Sequence, residues 1–144
     1  MDPKWRTQVI RAVVAAGLLL IAATTLIELL FQYQVFPALG VEERATLRTD
    51  LLLIIPARVL EACLFVCLYV WAKETLPGAT LRKKGLVLAF ALIGGVALVR
   101  AFVALGDFHV AWPVILAGFL GESLGLLLAG LAVPRLLRHK TVFG

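Results

Sequence analysis

Four apolar stretches, each about as long as a bilayer's hydrocarbon core is thick, limit what this chain can fold into. Read with a window of about 19–20 residues, they cover 12–35, 51–72, 86–105 and 110–134. A helix rises about 1.5 Å per residue, so some 20 residues cross roughly 30 Å. Inside lipid every backbone N–H and C=O must find its partner within the segment, and runs of this length achieve that as α-helices. Composition points the same way. The 144 residues are 62% hydrophobic, against roughly 45–50% in ordinary soluble domains. A soluble chain this short would bury only about two-thirds of the surface it exposes when unfolded. The expected fold is therefore all-α: one polytopic membrane domain over 1–144, with four transmembrane helices in two hairpins forming a small bundle.

Local breakers divide the stretches. Pro37 and Gly40 are expected to close the first, Thr49-Asp50 to cap the second, and Pro77-Gly78 to punctuate the middle connection. Pro113 falls in the first turn of the fourth, where a missing N–H costs little, and Pro134 is expected to end it. The first stretch reads as a retained span, not a cleaved leader, because its hydrophobicity runs on through Leu29-Leu30-Phe31.

The basic residues set an expected orientation. Lys4, Arg6 and Arg11 precede the first span, Lys73, Arg82, Lys83 and Lys84 lie in or beside the middle connection, and Arg135, Arg138 and Lys140 follow the last. The opposite side has Arg44 and Arg48. By the positive-inside rule both termini and the middle loop face the cytoplasm of a cell whose inner or plasma membrane holds the chain. The +5 net charge thus reads as a topology signal, and no nucleic-acid partner is expected.

Five ionisable residues fall within the spans: Glu28, Arg58, Glu61, Arg100 and Glu122. A charge near the bilayer centre costs roughly 2.5–3.5 kcal/mol on insertion scales, so these groups must be paired, hydrated or near an interface. Arg58 and Glu61, three residues apart, share a helix face. Glu28 and Arg58 each lie about seven residues from the outer end of their spans, which allows them to meet across the first hairpin. Arg100 is free either to snorkel to the outer headgroups or to reach down to the deeper Glu122. These five form the candidate buried polar, ligand or proton site.

Glu122 lies beside a stripe of small residues, Ala117, Gly121, Gly125 and Ala129, repeating every four positions. Such a stripe permits close helix packing, within the chain or between copies. Cys63 and Cys67 are one helical turn apart, where a disulfide has poor geometry, and read as packing residues. His109 and His139 are far apart in sequence, so no metal or cofactor is expected, and no catalytic Ser–His or Cys–His pattern is present. Two functions lead: small-solute or proton-linked transport as an oligomer, or a non-enzymatic accessory subunit of a larger membrane complex; a membrane enzyme acting on a lipid or isoprenoid is a third reading with less support. The expected partners are membrane lipid and either further copies of the chain or another membrane protein.

Overall fold

The computed structural model describes residues 3–38, 47–75, 80–106 and 112–137. These are helical, with no strand among them, and form four long helices. Helix α1 spans Pro3–Ala38 and α2 spans Leu47–Ala72. Helix α3 runs from Leu81 to Leu105 through a π-helical segment, and α4 spans Trp112–Leu136. Each includes a stretch long and apolar enough to cross a membrane.

Several boundaries differ from the sequence expectation, among them the start of α3, at Leu81 and not at 86. Helix α1 begins nine residues before position 12, with Pro3 at its first position and Trp5 buried on the same stripe as Ala12, Ala16 and Leu20. A core contact for Trp5 gives this polar-flanked turn a reason to stay helical. Thr49 and Asp50 lie inside α2 and do not cap it, because the helix already starts at Leu47. Pro134 does not end α4 but sits buried within its last turn. The ring lacks an N–H but does not stop the helix there, and Leu137 N still reaches Val133 O at 3.0 Å. At the start of α3, Thr80 is the N-cap: its backbone is extended, and its hydroxyl accepts from Lys83 N at 3.3 Å. The expected breakers Gly40, Pro77 and Gly78 lie outside the described residues.

Helix α4 is the centre of the bundle. It packs along α1 over most of its length and against the first half of α3, while α2 docks on α1. One continuous core joins Ala16 and Leu20 of α1, Phe65 and Tyr69 of α2, Ala89 of α3, and Leu126 and Val133 of α4. The small-residue stripe lies within the chain, at the α1–α4 seam. A Cβ on Gly121 would stand 3.0 Å from Thr24 Cα, and one on Gly125 only 2.8 Å from Leu20 Cδ2. Ala117 and Ala129 are buried at the two ends of the stripe. The α3–α4 contact is tighter still. A Cβ on Gly130 would come to 2.7 Å from Gly85 O, and one on Gly85 would overlap Gly130 O. Backbone meets backbone there, which only glycine allows.

Two π-helical segments shift which residues face inward. In α1, Phe31–Val35 brings Phe31 and Phe36, five apart, onto one face. Their rings meet edge to face at 5.9 Å, beside Ala117. In α3, Ile93–Ala97 buries Ala97 while leaving Val96 on the outside. One extra residue in a helix turn rotates everything beyond it by about 100°. Arg100 would otherwise continue the stripe of Ala89 towards α4; the added residue carries it to the flank of α3.

Candidate functional site

Helices α2 and α3 both lean on the rest of the bundle but scarcely touch each other. Between them lies a groove of about 470 Å³, with Glu122 and Leu126 of α4 among its lining residues. Leu60, Leu64 and Phe65 of α2 line one side, and Leu92 and Val96 of α3 the other. Leu60 and Leu64 are largely exposed on the outer surface of the bundle, so the groove opens sideways.

Four of the five candidate residues gather here. Arg58 and Glu61 come from α2, one turn apart, and Arg58 Nη1 donates to Glu61 Oε2. Arg100 approaches from α3, where its Nη1 donates to both oxygens of Glu122, at 3.2 and 3.3 Å. Arg58 Nη1 also lies 3.9 Å from Glu122 Oε1, which places the carboxylate between two guanidinium groups. The side chain of Glu122 is 6% exposed, while that of Arg100 is 62% exposed. Fully ionised, the cluster holds two charges of each sign and is neutral. That arrangement reduces the cost of placing them in an apolar helix bundle.

Two of the expected encounters, Arg58 with Glu61 and Arg100 with Glu122, are present. Arg58 turns to Glu61 on its own helix and to Glu122 on α4. Arg100 reaches Glu122 and is not simply a snorkelling side chain. Glu28 is half-buried on α1 and is not among the residues lining the groove. Helical spacing made the Arg58–Glu61 pair legible. The Arg100–Glu122 pair joins two helices across 22 positions of sequence, which helical spacing cannot relate.

The cluster also contains a polar atom that hydropathy could not flag. Arg58 Nε is buried without a hydrogen-bond partner among the described residues. Buried donors of this kind are uncommon, and each is a point where a polar guest gains a hydrogen bond. Among the described residues no group of three or more His, Cys, Asp or Glu is arranged to hold a metal ion, and Cys63 and Cys67 are free thiols. The side chains lining the groove offer charge pairing, hydrogen bonding and proton exchange at carboxylates. No protein-family model, curated protein or solved structure matches the chain.

Proposed function

We propose that this chain is an integral membrane protein, with both termini cytoplasmic, that binds and moves a small polar solute or proton through the groove between α2 and α3. The observation that carries the reading is the buried Glu122 carboxylate, clamped between Arg58 and Arg100, in an otherwise apolar groove. A neutral cluster of this kind exchanges partners at low cost. A guest carboxylate or phosphate takes over one arginine when Glu122 accepts a proton, and leaves when Glu122 ionises and reclaims it. Arg58 Nε supplies an additional donor to such a guest. Four helices enclose only one side of this groove, so a second copy completing the path fits the reading.

The test is flux in reconstituted vesicles. Wild-type protein is expected to dissipate an imposed pH gradient or accumulate a small organic anion, and Glu122→Gln to lose that activity at least ten-fold while keeping its helical content. Wild-type flux unchanged in both Glu122→Gln and Arg58→Gln would overturn the proposal. The accessory-subunit reading has its own support in Arg100, a cation 62% exposed on an otherwise apolar flank of α3. Exposed charge at such a site is stabilised by a neighbouring protein surface. Loss of a co-purifying membrane protein in Arg100→Leu, with flux absent throughout, would favour that second reading.

A further inference from the structure

A larger cavity, of about 740 Å³, lies near one end of the bundle, where the start of α1 meets the end of α2. Its volume is within the roughly 300–1,000 Å³ typical of ligand clefts. Val9 and Ile10 of α1 and Val66 and Val70 of α2 form its apolar wall, and Arg6, Lys73 and Glu74 stand towards the helix ends. Ile10 is four residues deeper than Arg6, and Val70 three deeper than Lys73. At 1.5 Å per residue the apolar wall thus begins about 5 Å below the cations.

Trp5 and Trp71 also line this cavity. Trp5 is 8% exposed and is part of the core, whereas Trp71 is 83% exposed and stands outward. Trp71, two residues deeper than Lys73, stands between the charged rim and the apolar wall, a placement characteristic of the headgroup level of a bilayer, whereas Trp5 precedes Arg6 and belongs to the core. The described residues at the same end include Arg82 and Lys83 at the start of α3, so the surrounding field favours anions. Cation above, hydrocarbon below and indole between is the order of groups that complements a phospholipid standing in its own leaflet.

We propose that this cavity is a binding site for one anionic phospholipid, with its phosphate at Arg6 and Lys73 and an acyl chain along Val9, Ile10, Val66 and Val70. The proposal rests on the membrane-spanning reading but not on transport. The bound lipid wedges α1 and α2 apart at the cytoplasmic end and adds to the contact between them.

The experiment uses the full chain carrying Trp112→Phe, so that Trp5 and Trp71 are the remaining fluorophores. It is reconstituted in phosphatidylcholine vesicles containing brominated-acyl phosphatidylglycerol or, in parallel, brominated-acyl phosphatidylcholine. Half-maximal quenching is expected at a mole fraction of phosphatidylglycerol at least five-fold lower than of phosphatidylcholine, since each basic residue near an anionic headgroup contributes about a five-fold preference. Arg6→Gln and Lys73→Gln should each weaken the preference several-fold, and together abolish it. Arg82→Gln with Lys83→Gln removes the same charge outside the cavity and should leave the preference intact. Equal quenching by the two lipids, or equal loss in the two double variants, would show only diffuse surface attraction and overturn the proposal. Displacement by soluble glycerol phosphate would assign the cations to free phosphate and also overturn it. Absence of quenching by either lipid defeats the membrane reading itself, whereas lost flux with the lipid preference intact defeats only the transport reading.

Discussion

The two sides of α4 are built on opposite principles. On the side facing α1 and the first half of α3, glycine and alanine bring backbones into contact, and Gly85, Gly121, Gly125 and Gly130 each leave no room for a larger side chain. On the side facing α2 and the second half of α3, long side chains meet across a groove and the contacts are polar. Residues 121 and 122 are adjacent, yet one belongs to the dry seam and the other to the charged groove. The seam supplies rigidity and has nothing to exchange. The groove's contacts run between side chains, since the seam already brings the backbones together.

Substitutions can break or sharpen that contrast. The largest effect is expected at the junction. Glu122→Leu leaves Arg100 facing an apolar wall and Arg58 with Glu61 alone, and stripping one partner from a buried ion pair costs about 3–5 kcal/mol. Thermal unfolding in detergent should show it, and stability partly restored by adding Arg100→Met would identify the unpaired charge as the cause. Next comes Gly85→Val, whose added carbons meet the Gly130 carbonyl and the Pro134 ring. Overpacking costs about 1–3 kcal/mol where side chains can yield, and a backbone carbonyl yields less, so a loss of about 3 kcal/mol is expected. A melting temperature unchanged by Gly85→Val would refute the close approach of α3 and α4.

Gly125→Ala should be milder, about 1–2 kcal/mol, because part of its clash is with the flexible end of Leu20. The smallest change is of opposite sign. Gly118 lies on α4 ahead of Gly121 and Gly125, with nothing within 4 Å of an added Cβ. Alanine there is expected to stabilise by about 0.5–1 kcal/mol through helix propensity alone. If Gly118→Ala and Gly125→Ala have the same effect, the seam does not run through Gly125.

Much of the fold was legible because it depends on local sequence. The four apolar runs each meet the spanning requirement independently of their neighbours, and Arg58–Glu61 follows from a three-residue spacing on one helix. The stripe of Ala117, Gly121, Gly125 and Ala129 was visible as a packing surface, though not the partner it packs against. The missed features are those where two segments must be known together. Gly85 looks like an ordinary glycine beside basic residues, and Gly130 one more glycine in α4, until the helices cross. Trp5 seemed to lie outside the first span until its place in the core was seen.

The amino-acid sequence by itself determined the number, type and approximate extent of the helices, since hydropathy and backbone hydrogen bonding act within a segment. It also singled out a few carboxylates and arginines within the apolar runs, because ionisable residues are scarce there. The tertiary structure alone decided which of those charges meet. Helical spacing cannot relate Arg100 to a residue 22 positions away; the crossing of α3 with α4 brings Glu122 within 3.2 Å. Pairing between helices is a property of their relative rotation and depth, and a backbone approach as close as that of Gly85 and Gly130 is what fixes both.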